Sequence, residues 1–270
     1  MGRKLRTGLN AETKKHLVLG EGAIFKNFVV GTDTYESARA AGKLLGACQG
    51  GSTFTATATM RNISVDGIPG EVAELDVLEK WDVTLDTTFL EVTPQTIKLA
   101  LAVADTDTTE VNGYTKISGR HEVIDADYLD NITFIGTISG TKEPIILQVL
   151  NGIGNGEFKI NVQNGQEATV PVTFRGKYSI DTLGEAPFEI WYPDVMTASK
   201  YEVSITGTGT ASVTITGYDT SITATSNNTS VATVSVSSGT VTITGVDDGK
   251  TNVIVTDSSG ASLKIAVTVE

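Results

Sequence analysis

Val231-Ala-Thr-Val-Ser-Val-Ser-Ser-Gly-Thr-Val-Thr-Ile-Thr244 is the stretch on which the fold turns. Val234 and Val236, then Val241 and Ile243, sit at every second position with serine or threonine between them. A period of two sends side chains alternately to opposite faces of a strand, so the aliphatics point inward and the hydroxyls outward. Ser238-Gly239 divides the two runs as a turn. The same grain continues upstream in Tyr201–Thr206, Ala211–Thr216 and Ser221–Thr225, and downstream in Thr251–Thr256 and Ser262–Val269. Asn227-Asn228, Asp247-Asp248-Gly249 and Ser258-Ser259-Gly260 separate the runs. Seven short strands at roughly ten-residue spacing describe a β-sandwich. A low-complexity stalk would share the Thr/Ser richness without keeping the period.

Composition changes near Tyr192-Pro193. Both tryptophans, all eight phenylalanines and all six prolines lie at or before it, and Tyr201 and Tyr218 are the aromatics after about Lys200. At roughly 150 residues per domain, a chain of 270 residues makes one large domain or two unequal ones. Hydrophobic residues at 40% and charged residues at 19% exclude a wholly disordered chain. Thirty-two acids against twenty bases leave a net charge of −12, which repels nucleic-acid phosphates. A single cysteine, Cys48, excludes an intrachain disulfide and a cysteine-based zinc site. His16 and His121 leave little for metal or acid–base chemistry. The basic start is followed by no apolar run of signal-peptide length, so a product that stays where it is made is the expectation. The most apolar windows, Ile97–Ala104 and Ile145–Leu150, fall far short of the ~20 residues of a membrane-spanning helix.

The first part of the chain reads as mainly strand. Thr53–Met60 alternates threonine with Phe54, Ala56, Ala58 and Met60. From Ala73 to Leu85 the odd positions are apolar except Glu79, and Glu74, Asp76, Asp82 and Asp86 occupy even ones. This predicts one long strand, or two collinear ones, with an acidic outer face and a slip near Leu78-Glu79, of which a bulge is one cause. Thr93 as cap and Pro94 in the first turn open a helix in which Ile97, Ala100, Leu101 and Ala104 share a face. Leu99 and Val103 form a second apolar pair, so the helix is buried on two sides, one of them against another subunit. A weaker helix is read at Tyr35–Leu45. Further strands are read at Ile132–Ile138, Pro144–Leu150, Glu157–Asn161, Ala168–Arg175 and Phe188–Trp191.

Several blocks resemble major tail proteins of siphophages of Gram-positive hosts. They are Leu19-Gly-Glu-Gly-Ala-Ile-Phe-Lys-Asn-Phe28, Arg39-Ala-Ala-Gly-Lys-Leu-Leu-Gly-Ala47 and Gly50-Gly-Ser-Thr-Phe54. Others are Arg61-Asn-Ile-Ser-Val-Asp-Gly67, Trp81-Asp-Val-Thr-Leu85, Asp127-Tyr-Leu-Asp-Asn-Ile132 and Pro187-Phe-Glu-Ile-Trp-Tyr-Pro193. Ser230-Val-Ala-Thr-Val234, Gly239-Thr-Val-Thr-Ile243 and Thr251-Asn-Val-Ile-Val255 resemble a bacterial group 2 Ig-like domain, which such tail proteins often carry. The resemblance implies a mainly β protein: a tail-tube β-sandwich flanked by a helix over residues 1–199, with an N-terminal arm at 1–17, and an Ig-like β-sandwich over 200–270. It implies stacked hexameric rings forming a tube for genome ejection, assembled in the host cytoplasm and resident in the virion tail. The partners implied are other copies, tape measure, tail tip and terminator proteins, and DNA in passage, with no cofactor and no membrane.

Within that frame Glu74, Asp76, Asp82 and Asp86 are the candidate lumen lining, the alternative being an ordinary solvated face. Ile97, Leu99, Leu101 and Val103 are the candidate inter-subunit helix. Arg3, Lys4, Arg6, Lys14 and Lys15 form a basic inter-ring arm, or else a frayed terminus. Asp105–Gly113 reads as a polar loop that orders on assembly, or a plain surface loop. The Ig-like domain projects outward, with weak adhesion to cell-surface glycans as its role.

No catalytic site is read. Ser139-Gly-Thr-Lys142 spells S-x-x-K without its partner motifs. Asn151-Gly-Ile-Gly-Asn-Gly-Glu157 reads as a hairpin turn rather than a phosphate loop. His121 with Glu122, Asp125 and Asp127 lacks a second histidine for a metal. Asp105 with Asp107 and Asp247 with Asp248 lack calcium-loop spacing and read as turn aspartates. The alternative function is a cell-surface adhesin or carbohydrate-binding β-sandwich protein, and a β-rich hydrolase is a distant third.

Overall fold

The computed structural model describes residues 13–141, 143–162 and 164–270. Two compact units divide them, one of residues 20–136 and 146–191, the other of residues 13–19, 137–145 and 192–270. Along the chain run β1 (Val18–Lys26), α1 (Tyr35–Ala40), β2 (Cys48–Asn62), β3 (Asp76–Phe89), α2 (Pro94–Leu101), β4 (Ala104–Asp107) and β5 (Lys116–Gly119). β6 (Leu129–Ile138), β7 (Pro144–Gly154), β8 (Val170–Arg175) and β9 (Phe188–Trp191) follow. The protein is mainly β, as its alternation predicts.

In the first unit the strand order is β1-β6-β7-β8-β3-β2, with β9 also on β7. β7 serves two sheets. Ile146–Val149 pair with β9, whereas Ile153 and Gly154 pair with β8. The chain thereby turns a corner and lays one sheet over the other. Ile24, Ile132 and Val149 from the first sheet meet Val83, Leu85, Val172 and Phe174 from the second in one buried cluster. Phe25, next to Ile24, points the opposite way and packs with Phe28, Ala38 of α1 and Ile135, so the first sheet is covered on both faces. Gln148, buried at 4% exposure, donates through Nε2 to the Phe28 carbonyl at 3.0 Å and to Thr133 Oγ1 at 2.9 Å. That satisfies a polar group whose burial would otherwise cost about 1–3 kcal/mol.

α2 is capped as its sequence predicts. Thr93 and Thr96 exchange the reciprocal bonds of a capping box, and Pro94 occupies the first turn. The helix ends at Leu101, earlier than the apolar spacing predicts. Ala102 takes φ 63° and ψ −57°, and the Val103 N–H bonds the Leu101 carbonyl at 2.7 Å. This is the strained, positive-φ γ-turn, and it sends Val103 off the helix axis and Ala104 into β4. Val103 is therefore not a helix residue, a correction to the expected apolar pair. Asp105–Gly113 is likewise not one long loop, because β4 pairs with β5 from Ala104↔Gly119 to Asp107↔Lys116.

The glycine-rich Asn151–Gly154 lies inside β7 rather than in a turn. A Cβ on Gly154 would overlap the Leu99 carbonyl oxygen, so glycine there lets α2 seat against the strand. Glu157–Asn161 forms no strand, only a bridge between Asn161 and Thr169. Ser139-Gly140 sits in the turn after β6, and no helix among the described residues is long and apolar enough to cross a membrane.

The second unit holds β10 (Thr197–Ala198), β11 (Glu202–Ile205), β12 (Thr210–Thr216), β13 (Ile222–Ser226), β14 (Ala232–Ser237), β15 (Thr240–Gly245), β16 (Gly249–Asp257) and β17 (Ser262–Val269). They form two four-stranded sheets, ordered β10-β12-β15-β14 and β11-β17-β16-β13. Val213, Ile215, Val241 and Ile243 of one sheet meet Val253, Val255, Ile265 and Val267 of the other. β14 and β15 close through Ser238 and Gly239 at φ 45° and 76°, the two-residue turn whose twist matches a hairpin. β11 runs parallel to β17 while the other pairings in that sheet are antiparallel.

Candidate functional site

The outer face of the second sheet of the first unit is built by β2, β3 and β8. Thr53, Thr55, Thr57 and Thr59 of β2 lie opposite Asp86, Thr84, Asp82 and Lys80 of β3. Their neighbours Phe54, Ala56 and Ala58, paired with Leu85, Val83 and Trp81, face the core. Thr173 of β8 is registered with Asp86 and donates its hydroxyl to that carboxylate. Lys80 Nζ stands 2.9 Å from the Asp82 carboxylate. The face is thus a threonine ladder bearing two carboxylates, a lysine paired with one of them on its own strand, and Arg175 of β8 opposite Thr84.

The four acids do not form one column. Thr59 pairs with Lys80 but Met60 pairs with Leu78, which leaves Glu79 as the extra residue of a bulge at the slip the sequence marks. One extra residue reverses the alternation beyond it. Asp76, opposite Asn62, therefore turns to the Trp81 side of the sheet, where Asn62 Nδ2 donates to its Oδ1 at 2.7 Å. Glu74 lies in a 3-10 turn at Ala73–Leu75, outside the strand. Only Asp82 and Asp86 share the outer face.

Ile97, Leu99, Leu101 and Val103 are all half-buried, and the α2 positions sealed from solvent are Thr96 and Ala100. Leu99 already packs on its own unit's core.

Arg3, Lys4 and Arg6 lie outside the described residues. Lys14 and Lys15 end a 3-10 turn at Thr13–Lys15. Lys15 Nζ donates to Tyr201 Oη at 3.0 Å and lies 4.6 Å from the centre of that ring, a cation–π contact. The same hydroxyl accepts from the Ala198 N–H at 3.0 Å. His16 Nδ1 and Tyr192 Oη are 2.8 Å apart, with the two rings stacked. Ser139 accepts from the Leu17 N–H at 3.3 Å and donates to the Lys14 carbonyl. Sequence reasoning missed this seam, because its members are isolated residues far apart in the chain.

The titratable groups outside these surfaces serve the fold. Asp127, whose side chain is 1% exposed, binds Arg120 and accepts from the Ile124 N–H at 2.9 Å, so its carboxylate is committed to the fold rather than to a metal with His121. Arg120 Nε also lies 2.9 Å from Asp105, near enough to pair but poorly aligned for a hydrogen bond. The Lys43 hydrogen bond holds Asp33 below the usual carboxylate range, and the Thr109 hydroxyl does the same for Asp107. Burial pushes the Cys48 thiol up.

Residues 194–268 match the family model of the bacterial Ig-like domain (group 2), and the C-terminal sandwich is a domain of that family. No curated protein matches the chain. Domains 4 and 5 of the S-layer protein SbsC align at 22% identity and a TM-score of 0.27, over 58% of this chain and 86% of that one. A longer piece of the same protein aligns at 15% identity and a TM-score of 0.27, over 80% of this chain and 50% of that one. Its domains 1–6 align at 13% identity and a TM-score of 0.26, over 93% and 50%. The chain spans about half the length of these last two structures. At such TM-scores the superpositions define no common architecture.

Proposed function

We propose that this protein is a self-assembling structural subunit of a siphophage tail tube, with the Ig-like domain as an outward decoration. The observation that carries the reading is the edge of the β2–β3–β8 sheet. β2 spans fifteen residues and, among the described strands, pairs only with β3. So long a row of unpaired backbone groups is a hazard to a solitary subunit and an asset to one that joins its neighbours edge to edge. β1 supplies an edge at the other end of the strand order, covered by residues 43–45 only at Ile24–Lys26. Joining unlike edges from copy to copy is a heterologous contact, which closes into a ring when the rotation per subunit divides the circle. The sequence blocks that resemble tail proteins fall on β1, α1, β2, β3, β6 and β9, and all but Leu19, Tyr192 and Pro193 of them lie in the same unit.

In a ring the Thr53–Thr59 and Lys80–Asp86 face is the candidate lumen wall. Its short hydroxyls, with Lys80 and Arg175 offset by Asp82 and Asp86, leave DNA phosphates little net charge to hold. Lys14 continues the basic arm proposed to reach an adjacent ring, whereas the Lys15 ammonium is held by Tyr201 of its own chain. Tape measure, tail tip and terminator proteins are the proposed partners, the virion tail the proposed location, and no catalysis is proposed.

The Ig-like match favours a second reading, a surface adhesin or carbohydrate-binding protein that displays this domain. Polymerisation separates the two. The full chain, concentrated and imaged by negative-stain electron microscopy, is expected to give stacked rings or hollow tubes with outer knobs. A sample that stays monomeric even when seeded with tail-tip complexes overturns the tube and puts the adhesin first.

A further inference from the structure

A cavity of about 370 Å³ opens under α2 in the first unit. Its apolar wall includes Leu129 with Ile132 and Phe174, the last two sealed from solvent, and Gly152 and Gly154 leave the β7 side of it without side chains. Lys26 and Lys98 also line it, both half-buried. Among the described residues neither lysine has an ion-pair partner. Asp127, the one carboxylate of the lining among the described residues, is already bound to Arg120.

In a chain with thirty-two acids and twenty bases, two lysines without carboxylates on one small cavity stand out. A carboxylate entering the cavity gains charge-assisted hydrogen bonds from a lysine that has no carboxylate of its own, and an apolar stem on that anion fills the wall below. The volume lies in the range of small-molecule sites, about 300–1,000 Å³.

We propose that this cavity binds a carboxylate carried on a short aliphatic stem, with Lys26 and Lys98 meeting the carboxylate and Leu129, Ile132 and Phe174 the stem. That chemistry belongs equally to a free fatty acid and to a glutamate side chain presented by a second copy of this chain. The proposal does not depend on the tail-tube reading.

The test titrates octanoate into the full-length protein by calorimetry, with octanol as the uncharged stem. Octanoate binds saturably, octanol roughly tenfold or more weakly, and the K26Q/K98Q double variant loses octanoate by at least a similar factor, as expected when charge-assisted hydrogen bonds are removed. Melting curves show that the variant is folded, since both side chains are partly in solvent. Saturating octanoate added during sedimentation velocity then separates the sources. Self-association lowered both by octanoate and by the double variant assigns the site to a second copy, and unchanged self-association assigns it to a free ligand. Absence of octanoate binding, equal binding of octanol, or full binding by the double variant overturns the proposal.

Discussion

Replacing Gly154 by alanine asks whether α2 rests on β7 as closely as the structure has it. The new Cβ would overlap the Leu99 carbonyl oxygen and approach the Ala100 carbonyl oxygen to 3.4 Å. Both are helix backbone atoms, so no side chain can swing aside and α2 itself must shift. Overpacking of this kind costs about 1–3 kcal/mol. Alanine also removes freedom from the unfolded chain, which returns about 0.4–1 kcal/mol. The net expectation is a loss of about 1–2 kcal/mol, and with roughly 2–4 °C per kcal/mol for a unit of this size the melting temperature falls by about 2–8 °C. Gly20 in β1 is the control, because a Cβ there meets nothing within 4 Å. There only the unfolded-state term operates, and Gly20→Ala gains about 0.4–1 kcal/mol. Trp81 and Trp191 are the chain's two tryptophans and both lie in the first unit, so tryptophan fluorescence during urea unfolding reports on it selectively. If Gly154→Ala unfolds at the same urea concentration as the wild type, or a higher one, α2 does not sit where its carbonyl would exclude a methyl.

In the C-terminal sandwich, Ile243→Ala should cost about 2–5 kcal/mol while Thr242→Ala on the outer face stays within about 0.5 kcal/mol, read by calorimetric melting; equal effects would reject the inward–outward assignment. Tyr201→Phe removes the oxygen shared by Lys15 and the Ala198 N–H, and a loss of about 1 kcal/mol of local protection is expected at the Ala198 amide in hydrogen exchange. Unchanged exchange there would dissolve the seam. Asp33 titrates lower in the folded state than its ordinary 3.8, so its stabilising effect is complete above that pH and fades as pH falls through the depressed folded value. Acid unfolding of Asp33→Asn should lack that component, and superimposable acid titrations of the two proteins would count against the Lys43 bond. Burial raises the Cys48 pKa, so a thiol reagent at mildly alkaline pH should label the native chain more slowly than the urea-unfolded chain. Equal rates would mean that β2 leaves the thiol open.

The sequence is most legible where one force dominates. In the C-terminal sandwich every predicted run became a strand, because alternating valine and threonine has one low-energy arrangement over a one-sided core. It is least legible where glycine serves packing. Asn151-Gly-Ile-Gly154 carries turn chemistry, and only the approach of α2, contributed from fifty residues earlier, explains why it is extended. β1 escaped notice because Gly20 and Gly22 interrupt its alternation, and β4 and β5 because a polar hairpin has no apolar period. The slip near Leu78-Glu79 is visible in sequence. Its consequence for Asp76 is not, since only the pairing of Met60 with Leu78 reveals that the faces exchange. For the basic seam, charge and position were legible, whereas the tyrosines that receive Lys15 and His16 lie more than 170 residues downstream.

The placing of β17 governs how the C-terminal sandwich comes into being. This strand lies between β11 and β16, bonded in parallel to the first and antiparallel to the second, so it is a central member of its sheet although it is the domain's final strand. During synthesis β11 has no partner in that sheet, and β16 lacks one of its two, until Ser262–Val269 leave the ribosome. The inward row of Leu263, Ile265, Val267 and Val269 is missing from the core for as long. Folding of the domain therefore waits for its last strand, one run of alternating sequence that bridges the earliest and latest parts of its sheet.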